Sequence, residues 1–353
     1  MDNKITKSRL SDLLSYEWIL MLIIAIASII VWELAYAMGS VKLTVGQEFK
    51  YYYDSTIVVE DNRELQTRLL SQETFSFDVM KLGSESLSAQ NYVLSERLSI
   101  QEGDVIFTDI LGIDEVDEST NQPKTVRAKT MIDNYSYHIG SLDQMIYDAK
   151  IYLTKNFFKE GIYESHVKDK VEVPELEKGQ LLKLETMLED GNDQSEKILN
   201  SIDDNKVEKM FLKRNKNDNR FRSKSNVKLG IGLEKERIIK LCENVLFFED
   251  FIENNQNALF EYTRYGQSQN ELLTTERQKN LTRFGKETEI FGIKLSQLAN
   301  GGEVSKVMRL ASPKDQNKVT DGIVLMAFDF IKYQPDLQFE SLSFVCSTIK
   351  TFS

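Results

Sequence analysis

Residues 75–109 read FSFDVMKLGSESLSAQNYVLSERLSIQEGDVIFTD, and the fold turns on this stretch. Phe75–Met80 alternates apolar and polar side chains, the period of a half-buried strand. Gly83 and Ser84 punctuate it, and Ser84 stands where a helix N-cap belongs. Leu87, Leu94 and Leu98 recur at helical spacing and mark one face of the helix that follows. Gly103 stands at its C-cap, and Asp104–Asp109 reads as a second strand. A crossover of this length joins parallel strands, so Phe75–Met80 and Asp104–Thr108 are expected side by side and parallel.

In an open α/β sheet a ligand sits beyond the carboxyl ends of the strands. Here those ends are residues 81–84 and 108–109. The candidate ligand-binding residues are therefore Ser84, Thr108 and Asp109. Ser84 and its helix N-terminus offer backbone N–H groups, and Asp109 accepts hydrogen bonds from hydroxyls. Gly103 and Asp104 lie at the opposite end of the second strand and shape a turn.

Composition bounds the rest. The chain has 353 residues, with 44 Lys+Arg against 55 Asp+Glu, a formal charge of −11. That balance argues against nucleic acid as the main partner, because phosphate binding needs a positive field. Two cysteines and two histidines, His138 and His166, exclude a disulfide scaffold and any Cys-rich zinc module, and no metal or cofactor is expected.

Near the N-terminus, Ile19–Val31 reads ILMLIIAIASIIV without a charge. Extended over residues 18–38, with Trp18 and Trp32 flanking its purest part, it is read as one transmembrane helix with the lipid bilayer as partner. Residues 1–17 are then a cytoplasmic tail and the remainder lies outside, a single-pass protein of the cell membrane. An uncleaved signal-anchor is preferred to a signal peptide cleaved after Ala35-Tyr-Ala37.

Phe49–Tyr53 and Thr56–Val59 are β-prone. Helices are expected over 142–159, 175–212 with breaks near 190–192 and 203–205, 233–262, 267–285, 321–333 and 336–350. The helix over 233–262 carries the clearest stripe, Ile238, Leu241, Val245, Phe248 and Ile252. The resulting fold class is α/β near the span, over 41–212, and mainly helical over 213–353.

Catalytic signatures are weak. The sequence has no H-E-x-x-H, G-x-S-x-G, P-loop or C-x-x-C. Ser165–Lys168 and Ser347–Lys350 match S-x-x-K, a tetrapeptide common by chance, and the protein is not expected to be an enzyme. Lys213, Arg214, Lys216, Arg220, Arg222, Lys224 and Lys228 form a basic run, read as a solvated linker or as a contact for anionic lipid or wall polymer.

The segment Phe75–Asp109, above all Leu94–Asp109 with its Gly103-Asp104 turn, resembles the first lobe of bacterial extracellular solute-binding proteins that serve ABC transporters. The resemblance implies a solute-binding-like α/β domain, a small polar ligand, and a binding or accessory role beside transporter subunits. The chain lacks the Pro-Asp that the family places after its Gly-Asp turn, and its later half offers helices where a second lobe is usual. Two other readings stay open. One is a structural or interaction protein of the cell envelope without a small ligand, and the other an envelope hydrolase.

Overall fold

The computed structural model describes residues 18–39, 48–70, 81–87, 91–100, 102–110, 116–117, 122–123, 127–135, 138–159, 194–216, 218–262, 288–311, 319–328 and 335–353. The chain falls into two compact units, Met1–Thr44 and Val45–Ser353.

The first unit holds helix α1, Trp18–Gly39, with exposed side chains from Trp18 to Glu33. Among the described residues no helix is long and apolar enough to cross a membrane. This overturns the expected transmembrane helix, and with it the signal-anchor and the assignment to the cell membrane with the remainder outside. A physical reason lies in the charges: Glu17 and Glu33 bracket the uncharged run. Trp18 to Trp32 covers only about 22 Å at the helical rise, against roughly 30 Å of hydrocarbon core.

In the second unit β1 (Glu48–Asp54) and β2 (Ile57–Val59) form on the β-prone patches. Asp61 then accepts the backbone N–H groups of Arg63 and Glu64 and starts α2, Asn62–Leu70. β3 (Lys81–Leu87), α3 (Asn91–Ser99) and β4 (Val105–Asp109) follow, then the short strands β5 (Val116–Asp117) and β6 (Gln122–Pro123). Five helices come next: α4 (Arg127–Asn134), α5 (Leu142–Phe157), α6 (Gln194–Ser201), α7 (Asp204–Arg214) and α8 (Lys224–Asn254). The chain closes with β7 (Leu259–Tyr262), β8 (Glu289–Lys294), β9 (Met308–Leu310), β10 (Ile323–Ala327) and α9 (Pro335–Phe352).

Six strands form the main sheet in the order β3-β1-β4-β10-β8-β7. β1 runs parallel to both β3 and β4, whereas β10 is antiparallel to β4 and β8, and β7 is antiparallel to β8. The sequence Phe49-Lys-Tyr-Tyr52 explains the central place of β1, because it supplies bulk to both faces. Tyr51 packs with Phe49, Phe107 and Leu325 against α2, α5, α8 and α9. Tyr52 packs with Ile106, Val324 and Met326 against α3 and α4. Helices therefore cover the sheet on both faces.

Several expectations change. Phe75–Met80 lies outside the described residues, and the first crossover strand that is seen is Lys81–Leu87. It shares its direction with Val105–Asp109, but β1 stands between them, so the two are not neighbours. Leu87 ends the strand instead of opening the helix, and Leu94 and Leu98, with Val93 beside them, carry the apolar face of α3. The long helix starts at Lys224 and stops at Asn254, and Leu259–Tyr262, read as its end, is strand β7. Residues 321–333, read as a helix, contain β10, whose five residues are all buried. A strand covered on both faces shows no alternation, and a short apolar run of that kind also fits a helix. The later half is thus less purely helical than expected: it supplies three of the six strands of the main sheet.

Candidate functional site at the carboxyl end of the sheet

From β1 the chain passes through α2 to β3 on one side. It then returns through α3 to β4 on the other side of β1. The connections reverse direction at β1, so the β1–β4 pair is a topological switch point, where the strand ends leave a crevice. Asp54 closes β1 and Asp109 closes β4. β10 comes in antiparallel with Ile323 opposite Asp109, which brings the turn Thr320–Gly322 to the same end. Gly322 takes φ +89° there, and its carbonyl accepts the N–H of Ile110 at 2.9 Å.

Asp54 is fully buried. One carboxylate oxygen accepts from the Ser55 hydroxyl (3.1 Å) and the Thr56 backbone N–H (3.3 Å), and the other accepts from Thr108 Oγ1 at 3.4 Å. Thr108 and Asp109 point to opposite faces of β4, as strand alternation demands. Thr108 therefore joins Asp54, while Asp109 turns to the other face, also buried. Thr56 Oγ1 is buried with no hydrogen-bond partner among the described residues. Asp54 and the Ser55 and Thr108 hydroxyls thus gather on one face of the switch point, and Asp109 stands at the same strand ends on the other. Both carboxylates are suited to accepting hydrogen bonds from hydroxyl or amino groups.

Of the residues expected here, Thr108 joins Asp54 on one face of the sheet, Asp109 ends the same strand on the other face, and Ser84 is at neither place. Ser84 sits mid-strand in β3 beside Tyr51 and caps no helix. Its hydroxyl accepts from Asn62 Nδ2 at 2.8 Å, and Asn62 also accepts from the Tyr51 hydroxyl. Gln66 donates to that same phenol oxygen at 3.4 Å, so Ser84 belongs to a network tying α2 to the sheet. Burial raises the Tyr51 phenol above its ordinary range, against the hydrogen bonds from Gln66 and Ser84 that lower it. Asp54 was missed; its signal is the Asp-Ser-Thr that follows the aromatic strand, a turn sequence ending a buried run.

The opposite end of the sheet is structural, as read for Gly103 and Asp104. Gly103 takes φ +107°, and a Cβ built on it would stand 2.2 Å from Tyr52 Cε2. Asp104 accepts the Lys50 N–H at 2.7 Å, and its carbonyl accepts from Phe328 N–H and the Ser341 hydroxyl. Outside this turn Lys50 and Arg97 both pair with Glu102, and Arg97 reaches Glu85 at 3.2 Å. Burial of Glu102 opposes its charge, but the hydrogen bonds from Lys50 and Arg97 prevail and hold its carboxyl below the usual range. Gly103→Ala is expected to cost about 2–3 kcal/mol, from positive φ and displacement of the Tyr52 ring together. An unchanged urea midpoint would show that the turn adapts freely.

Elsewhere the reactive side chains are committed. Cys242 and Cys346 are both buried, and burial pushes the Cys346 thiol up to about 12 and that of Cys242 higher still. Ser347 is buried on α9, while the ammonium of Lys350 lies over the Phe247 ring at 4.5 Å. Ser165–Lys168 and His166 lie outside the described residues. Among the described residues no three or more His, Cys, Asp and Glu side chains gather in a way that could hold a metal ion. No protein-family model matches the chain, and no characterised protein matches its sequence.

Proposed function

We propose that the second unit is a binding module of the solute-binding type. It receives a small polar ligand at the carboxyl ends of β1 and β4 and serves as a binding or accessory component beside ABC-type transporter subunits. The observation that carries this reading is the strand order β3-β1-β4, which places buried Asp54, Thr108 and Asp109 at the switch point. The separation of β3 from β4 removes the simple adjacency on which the resemblance first rested. What supports the reading now is the three-stranded parallel unit with both connections through helices.

The test is a thermal-shift screen of the full chain against sugars, polyols, amino acids and short peptides. It is followed by titration of any stabilising compound into Asp109→Ala. Affinity should fall at least about tenfold, the loss of one hydrogen bond to a charged group. Unchanged affinity removes Asp109 from the site.

One observation favours the second reading, an interaction protein without a small ligand. Strands β7, β8 and β10 join the same sheet, and the other sheets among the described residues have two strands each. No second sheet of comparable size is seen there to close over a ligand. A screen in which nothing stabilises the protein would move the weight to this alternative.

A further inference from the structure

The basic run does not form a linker. It folds into the turn of a helical hairpin made by the end of α7, a 3-10 turn at Asn219–Phe221 and the start of α8. The tip is held firmly. Phe211 and Phe221 meet edge to face at 4.9 Å and lie against Gly230, where a Cβ would stand 2.2 Å from Phe211 Cζ. Ser223 caps α8, Asp218 caps the 3-10 turn and pairs with Arg220 at 2.9 Å, and Arg214 pairs with buried Glu234.

Between Lys206 and Lys228 the chain carries nine Lys and Arg against two Asp and Glu, in a protein whose net charge is −11. Lys209, Lys213, Lys216, Arg222, Lys224 and Lys228 are exposed. The ion pairs seen along the hairpin engage Arg214, Arg220 and Lys235, and none of these six. Beside them Leu212, Leu229 and Leu233 are exposed, the last two one helical turn apart at 66% and 54%. A rigid tip that holds six cations in place, with leucines at their margin, is an unpartnered surface of mixed chemistry.

We propose that this hairpin tip docks peripherally on an anionic lipid surface, its cations among the headgroups and Leu229 and Leu233 at the acyl boundary. The exposed leucines favour a lipid surface over a soluble polymer. They add nothing on a phosphodiester backbone, whereas at a bilayer their burial is favourable.

The test is co-sedimentation of the full chain with vesicles of phosphatidylcholine alone or mixed with phosphatidylglycerol, at low and high salt. The wild-type chain should prefer the mixed vesicles at least tenfold, with the preference collapsing at high salt. In Lys213→Gln/Lys216→Gln/Lys224→Gln/Lys228→Gln the preference should fall to near parity, since each cation near the surface is worth roughly fivefold, with partition into pure phosphatidylcholine unchanged. That unchanged arm separates the tip from any apolar contribution of α1. Leu229→Ser/Leu233→Ser should weaken vesicle binding but leave retention on a heparin column as it was. The proposal is overturned if the quadruple variant keeps the preference. It is also overturned if the leucine variant binds vesicles like wild type, which would assign the tip to a soluble acidic partner.

Discussion

Glu234→Ala is expected to lower the unfolding free energy by about 3–5 kcal/mol, the cost of breaking a buried ion pair from one side. Glu234 is 3% exposed, and its two carboxylate oxygens take both terminal nitrogens of Arg214, one of them at 2.9 Å. Arg237, 4% exposed, stands 3.7 Å away on the next turn of α8. Removing the carboxylate takes a compensating charge from the part-buried Arg214 guanidinium and from buried Arg237 beside it. The pair also joins α7 to α8, so its loss should loosen the hairpin. Urea unfolding of Glu234→Ala beside Glu234→Leu/Arg214→Met gives the measurement. The double variant removes both partners of the Arg214 pair and should recover much of the loss. If Glu234→Ala unfolds at the wild-type midpoint, the pair contributes nothing net.

Which parts of the fold were legible follows from how each element meets solvent. β1 and β4 could be read because Phe49–Tyr53 and Val105–Thr108 are dense in β-prone residues and bounded by charge and Gly103. α5 and α9 could be read because a helix with one buried face shows its period. β3 could not, since Lys81–Leu87 is a polar edge strand with four of its seven residues Gly, Ser or Glu, a weak signal beside the alternation at 75–80. β10 failed for the opposite reason, being apolar at every position. β7 was absorbed into the long helix because Phe260 and Tyr262 continue apolar spacing past Asn254-Asn-Gln, where the chain in fact turns. The start of α8 was hidden by charge, since Lys224–Lys228 has little apolar face to bury and forms through the Ser223 cap.

The candidate site was legible only where it depended on strand ends. Thr108 and Asp109 follow from the C-terminal limit of β4, and that limit was read within one residue. Asp54 required knowing that β1 lies beside β4, and pairing between strands far apart in sequence leaves no local trace. Ser84 was misplaced because a Gly-Ser pair signals a turn in isolation. In the fold the pairing with β1 overrides that signal, and Gly83 becomes a strand residue packed beside Lys50.

The second large effect is a pH dependence set at the other end of the sheet. Burial drives the Asp104 carboxyl up from 3.8 to about 7, and the nearby Glu340 and Glu48 carboxylates push the same way. The Lys50 N–H bond and the Lys50 ammonium oppose them without prevailing. Because the folded state holds this proton more tightly than the unfolded one, the stability it confers is fully present below about pH 4. It is lost as pH rises through about 7. The shift corresponds to roughly 4 kcal/mol when complete. Asp104→Asn keeps an oxygen for the Lys50 N–H and cannot ionise, so it should leave stability near pH 4 almost unchanged. Above pH 7 the variant should be the more stable protein, and the two curves of Tm against pH should diverge between pH 4 and 7. Glu340, 1% exposed on α9, is present in both proteins. The difference between the curves therefore reports Asp104 together with its coupling to the neighbouring carboxylates. Parallel curves across that range would mean that Asp104 is ionised in the folded protein at the same pH as in the unfolded chain. The Lys50 contacts would then outweigh its burial.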